Sequence, residues 1–316
     1  MTRPLKKSQD LSRNQVAIFP GLQERGLVLS LFPGIDLLGR GFEAAGFCVV
    51  RGPDTIWGQS IETFHAPGDV FDGIIAGTPC QSFSVANREH RARDRHKGDS
   101  AIAEFTRVVT EAHPRWWLLE NVPTVPDVWI DGYHVQRFDM RASEVGLRQS
   151  RLRHFQFGTL DGSVVVRSVG HQRQNGHSSP APNGDSDSGR RRESLDLVNS
   201  RVVTLPQGVT LEPCCMASEG KRSDRRDWPD FCELQGLPRD FDLPGWSLSF
   251  KYAAVGNGVP PPLAELIARA IQNRHSLPPD TRLCECKCGR IVTGRRTQAT
   301  DACRKRMERR RKLARS

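Results

Sequence analysis

Apolar residues in this chain fall into short unbroken runs separated by stretches with helical periodicity. That is the pattern of buried parallel strands joined by helices. Leu27-Val28-Leu29-Ser30-Leu31 predicts a first strand and Cys48-Val49-Val50 a second. Between them, Leu38, Phe42 and Ala45 share one face of a helix expected over 37–45, with Gly46 as its stop. Residues 71–76 and 115–119 predict two further strands. A helix over 100–113, with Ala101, Phe105, Val108, Val109 and Ala112 turned inward, joins them. Over 149–157, Arg151, Arg153, Phe155 and Phe157 alternate as in a strand, with two guanidiniums on one side. A proline run feeds a last long helix, whose inward face is expected to carry Leu263, Leu266, Ile267, Ala270 and Ile271.

The pattern predicts an α/β fold over 27–160, completed by the helix at 250–273. Residues 1–26 are polar and read as a lead-in. A smaller region over 161–249 contains Gly, Ser, Pro, Asn, Asp and Arg at 171–193, the composition of a disordered loop. Residues 276–316 form a tail with few apolar positions.

The chain has 316 residues and a net charge of +10, which favours a polyanionic partner, nucleic acid before membrane. The charge is uneven, with eight Lys or Arg between positions 304 and 315. A solvated basic tail is the plainer reading of that run. No apolar stretch is long enough to span a bilayer, and no secretory signal opens the chain. A cytoplasmic location with no membrane partner is therefore expected. Nine cysteines in that setting point to reduced thiols or metal ligands.

Candidate chemistry sits where strands end, because open α/β sheets bind ligands beyond the carboxyl ends of their strands. Gly77-Thr78-Pro79-Cys80 places a thiol there, and Pro79 stiffens the loop that carries it. Cys80 is then a nucleophile or, more blandly, a small buried apolar residue. Glu120 follows another apolar run, where burial would raise its pKa and suit it to proton transfer; a cap or loop ion pair is the alternative. Asp54 ends the second strand, where an acid can hold a ribose, while the turn before the first helix offers N–H groups to an anion. Arg153 and Arg151 offer planar recognition of a phosphate or a base carbonyl, or form a charged edge strand. Cys284, Cys286, Cys288 and Cys303 suggest a structural zinc, against a reduced flexible tail.

In order, Phe32-Pro33-Gly34 with Glu43, Pro79-Cys80-Gln81, Glu120-Asn121-Val122, Gln149-x-Arg151-x-Arg153, 234–238 and Gly256-Asn257-Gly258-Val259 resemble the motifs of the DNA (cytosine-5) methyltransferase family of bacterial or phage type. The resemblance covers roughly 27–158 and 225–272. It implies a Rossmann-like S-adenosylmethionine-dependent methyltransferase domain, with target recognition in 161–249. It makes Cys80 the thiolate that adds to carbon 6 of a flipped-out cytosine. Glu120 would sit at the ring nitrogen, and Arg153, with Arg151 beside it, at the base carbonyl. Phe32, Gly34, Ile35, Asp54, Ile61, Pro79, Asn257 and Val259 would contact S-adenosylmethionine. The implied partners are duplex DNA and, for a restriction–modification role, a cognate restriction endonuclease; a monomer is implied. RNA cytosine methylation and a DNA-binding module on an inactive scaffold are the competing readings. Four positions depart from the family pattern: Ser30 where Asp is usual, Asp36 where a second Gly is common, Ser60 in place of an Asp, and Gly258 in place of a frequent Ser.

Overall fold

The computed structural model describes residues 26–80, 83, 91–165, 203–204, 210–277, 281–286 and 291–313. The loop expected at 171–193, nearly all of the lead-in at 1–26, and Cys288 lie outside the described residues.

A six-stranded sheet organises the chain. Strands β1 (Leu27–Leu31), β2 (Cys48–Arg51), β3 (Gly73–Gly77) and β4 (Trp116–Asn121) run parallel. The antiparallel pair β5 (His134–Arg141) and β6 (Leu152–Thr159) extends the sheet, giving the order β2-β1-β3-β4-β6-β5. The unbroken apolar runs become the interior strands β1, β3 and β4, because a strand covered on both faces needs no polar side. β2 lies at the edge and is largely exposed. The β5 strand has no counterpart among the sequence expectations; it lies at the opposite edge and mixes Arg, Gln and Asp with its apolar residues.

Helix α1 (Leu37–Ala44) packs on one face of the sheet and α2 (Arg91–Ala112) on the other. α2 starts nine residues before the sequence expectation. Its first turns are polar, so no apolar stripe marks them, although Arg, Ala and Lys propagate a helix readily. After α3 (Trp228–Leu234) and α4 (Leu248–Asn257), the helix α5 (Pro261–Gln272) returns to lie on α1. A Cβ on Gly41 would stand 2.3 Å from that of Ala264, so the crossing requires glycine there. α5 buries Leu263, Ala264, Ile267, Ala268 and Ile271, while Leu266 turns outward at 40% exposure. Its buried stripe joins Val28, Leu38, Phe42, Ile75 and Trp116 in one core.

Two short strands, β7 (Val203–Thr204) and β8 (Thr210–Leu211), pair antiparallel. The C-terminal residues form a hairpin of β9 (Thr281–Leu283) and β10 (Ile291–Thr293), followed by α6 (Asp301–Leu313). No helix among the described residues is long and apolar enough to cross a membrane.

Candidate active site

A cavity of about 660 Å³ opens at the carboxyl ends of β1, β3 and β4, a size suited to a small-molecule ligand. Phe32, Gly34, Ile35, Asp54, Ile61, Pro79, Asn257 and Val259 all line it, and so do Cys80, Glu120 and Arg153. The structure thus brings eleven of the twelve non-metal candidates around one space. The exception is Arg151.

Cys80 stands just beyond β3, after Thr78 and Pro79, and the loop that carries it is fastened from the neighbouring strand. The Asn121 side-chain amide donates to the Thr78 carbonyl at 3.1 Å and to its hydroxyl at 2.9 Å. The Asn121 carbonyl oxygen in turn accepts from Val122 N at 2.8 Å. One buried side chain therefore ties the Cys80 loop to the end of β4. Burial pushes the Cys80 thiol above the ordinary range, with Arg153 the largest influence pulling it back. Cys215 is pushed up to about 12, mainly by burial, but packs within a core cluster and is not among the cavity-lining residues.

Glu120 lies in β4 rather than beyond it. Arg153 faces it from β6, with Nε 2.9 Å from Oε1, and both side chains are almost fully enclosed. Burial raises the Glu120 pKa, and the Arg153 charge opposes that rise. The pair sets a carboxyl group of raised pKa against a cation, beside the Cys80 thiol.

Arg151 does not sit beside Arg153 at the cavity. It precedes β6, is fully buried, and donates to the carbonyls of Cys215, Gly256, Asn257 and Gly258 at 2.8–3.2 Å. The expectation that the two arginines share one side of a strand is therefore corrected. Gln149 and Gln235 join the same knot. Gln149 donates to the Leu234 carbonyl and to Gln235 Oε1, and Gln235 donates to the carbonyls of Val255 and Gly258. This polar network shapes the 256–259 turn, which delivers Asn257 and Val259 to the cavity.

Asp54 caps its own 3-10 turn through Ile56 N and accepts from Gly34 N at 2.8 Å, linking the two loops at the cavity. Two of the family departures face each other: the Ser30 hydroxyl donates to Asp36 Oδ1 at 2.9 Å. Asp36 thus sets a carboxyl group against the position 30 side chain. It also caps α1 at Gly39 N, while Arg51 Nε lies 2.9 Å from its other oxygen. Burial raises the Asp36 pKa, with Ser30, Arg51 and Gly39 acting against it. Gly258 is likewise explained by its neighbour, since a Cβ there would meet Leu37 Cδ1 at 2.7 Å.

Sequence reasoning missed several cavity residues. His96, Lys97 and Ser100 reach it from the polar start of α2, where their near-helical spacing was the available signal. Trp57 and Trp246 form an exposed aromatic pair 6.0 Å apart, and Trp246 stacks at 4.0 Å on Phe250, which lines the cavity. Away from the cavity, Cys284, Cys286 and Cys303 lie together in the C-terminal segment.

Residues 58–128 match the family described as C-5 cytosine-specific DNA methylase. The type II methyltransferase M.MthTI of Methanothermobacter thermautotrophicus is 27% identical over 324 residues, which cover 78% of this chain and 96% of that protein. M.FnuDI of Fusobacterium nucleatum is 30% identical over 161 residues, covering 42% of this chain and 46% of its own length. M.HgiDI of Herpetosiphon aurantiacus is 27% identical, covering 43% and 53%. The matched segment thus spans nearly all of the first relative and about half of the other two. A methyltransferase of Entamoeba histolytica, EhMeth, has the same fold: TM-score 0.51, 12% identity, coverage 79% of this chain and 99% of that one.

Proposed function

We propose that this chain, a methyltransferase of the C-5 cytosine-specific DNA methylase family, methylates carbon 5 of cytosine in duplex DNA through a covalent adduct with Cys80. The observation that carries the reading is the convergence of Cys80, Glu120 and Arg153, from three separate segments, on one cavity that also holds the donor-side residues.

The cavity suits S-adenosylmethionine as the methyl donor. Phe32, Gly34 and Ile35 follow β1, Asp54 follows β2, and Asn257 and Val259 come from the turn held by Arg151. S-adenosylmethionine supplies an electrophilic methyl group on a sulfonium. Carbon 5 of cytosine is too weak a nucleophile to take it unaided. The Cys80 thiolate adds to carbon 6, and the electron pair moves towards carbon 5 and the ring nitrogen. Glu120, its pKa raised by burial, hydrogen-bonds that nitrogen as it gains electron density. Arg153 orients Glu120 and offers its remaining N–H groups to the base carbonyl. Carbon 5 then takes the methyl group, a base removes the carbon 5 proton, and the Cys80–carbon 6 bond breaks. The target must leave the stack for the thiol to reach it.

We assign target reading to 161–249 and the catalytic unit to 27–160 with the helix at 250–273. The Ser30–Asp36 exchange supports a working donor site over a decayed one, because the carboxylate is relocated rather than lost. In a restriction–modification setting, the methyl group would protect the site from a cognate endonuclease. The proposed functional unit is a monomer.

The test pairs two assays. Labelled methyl transfer from S-adenosylmethionine is measured on duplex DNA and on tRNA, and a duplex carrying 5-fluorocytosine is used to trap the adduct for peptide mapping. Transfer to DNA with a crosslink at Cys80 is expected. Preference for tRNA, or a crosslink at another residue, overturns the proposal.

A further inference from the structure

Thiols that lie together need a reason, because three buried cysteines make a poor core. In the C-terminal segment the buried cluster is Cys284, Cys286, Val292 and Cys303, with Ala299 and Met307 packed against it. One valine and three thiols give too little apolar area to order a hairpin and a helix without a staple. Their geometry suggests one. The three sulfurs all lie within 4.8 Å of one another, with Cys284 and Cys286 Sγ 3.5 Å apart. Around a tetrahedral zinc with bonds of about 2.3 Å, neighbouring sulfurs stand about 3.8 Å apart.

The surroundings suit thiolates. Ala299 N–H donates to Cys284 Sγ at 3.2 Å and the Thr300 hydroxyl to Cys303 Sγ at 3.1 Å. Donors of this kind fix the orientation of metal-bound sulfur. Cys303 falls in the first turn of α6, where the helix N-terminus favours negative charge. The exposed Arg304, Lys305 and Arg306 that follow offset the excess charge of three thiolates on a divalent ion.

We propose that Cys284, Cys286 and Cys303 hold one structural Zn²⁺, which pins the first turn of α6 to the β9–β10 hairpin and so orders the basic helix. Three thiolates leave one tetrahedral position for a further ligand. The site lies outside the reaction described above and stands whether or not that reaction occurs. Its role is to turn a run of basic residues into a helix with a fixed face.

Metal analysis of the full chain, purified under reducing conditions without chelator, tests this directly. One zinc per chain is expected, falling to background in Cys284→Ser and in Cys303→Ser and retained in Cys48→Ser, a cysteine exposed on β2. Unfolding of the sheet is followed in parallel, so that a failed fold is not mistaken for a lost ligand. Cobalt exchanged into the site should give the intense near-ultraviolet charge transfer of thiolate ligation and the visible bands of a tetrahedral ion. Trypsin should cut within α6 at least tenfold faster once the metal is stripped. Wild-type zinc no higher than in Cys284→Ser, an octahedral cobalt spectrum, or a mass two daltons light from a Cys284–Cys286 disulfide would each overturn the proposal.

Discussion

Cys80 and Cys303 are both unbridged thiols next to polar neighbours, yet the molecule treats them in opposite ways. Cys80 is a single sulfur beside a cavity, with a cation and a carboxyl group within electrostatic reach and its loop tied down by Asn121. Cys303 faces two other sulfurs across a cluster with almost no apolar content. The first arrangement sets one thiol beside a cavity with room for a substrate. The second brings three sulfurs within 4.8 Å of one another, the arrangement proposed above to hold an ion. What would separate the proposed nucleophile from the proposed ligand is the company around the sulfur, not its burial.

The sharpest way to break that comparison is to exchange the two roles by mutation. Cys80→Ser should lower methyl transfer by at least ~10³-fold, since serine at this position lacks a nucleophilic anion at neutral pH. Its zinc content should match wild type. Cys303→Ser should lose the metal and keep the unfolding midpoint of the sheet. If Cys80→Ser retains transfer, or loses zinc, the two sites are not separate.

The next contrast lies within the catalytic body, between two arginines two positions apart. Arg151→Ala removes five hydrogen bonds, three of them to buried acceptors, and should cost about 3–5 kcal/mol in denaturant unfolding. Arg153→Ala should instead lower the rate by about 10²-fold, with a smaller loss of stability, because Glu120 can take up a proton when its partner is gone. Equal stability losses would remove the distinction drawn here between a positioning and a reacting residue.

A smaller effect concerns pH. Because burial holds the Cys80 thiol above its ordinary range, the thiolate fraction and the rate of adduct formation should still be climbing at pH 8.5. A plateau below pH 8 would contradict this. The smallest effect involves Asp36. Its carboxyl pKa is raised in the fold, so the folded state holds the proton more tightly than the unfolded chain. That contribution is fully present below the ordinary carboxylate range and is lost as pH rises through the raised value. Wild type should therefore lose stability relative to Asp36→Asn between pH 4 and pH 7, measured as the urea midpoint. A constant difference would mean Asp36 does not titrate in that window.

Much of the sheet could be read from the sequence because β1, β3 and β4 are buried on both faces, and unbroken apolar runs leave few alternatives. Cys80, Glu120 and the residues from Phe32 to Ile35 followed from the same fact, since each stands at or just past the end of such a run. Arg151 could not be read this way. Alternation along 149–157 places it with Arg153, and only the distant turn at 256–259 explains why it points elsewhere. The start of α2 was hidden for the opposite reason: a polar helix carries no apolar stripe, so only the spacing of His96, Lys97 and Ser100 hinted at it. The Ser30–Asp36 pairing was visible only as two unrelated departures. The two become one contact once the turn brings the side chains within 2.9 Å.

The return of α5 onto α1 has a consequence for biogenesis. Gly41 meets Ala264, and Gln272 donates to the Ala45 carbonyl, across more than two hundred intervening residues. While the ribosome is still making the middle of the chain, the stripe of Leu38, Phe42 and Trp116 has no cover. A nascent protein released before residue 272 would expose that stripe to chaperones and proteases.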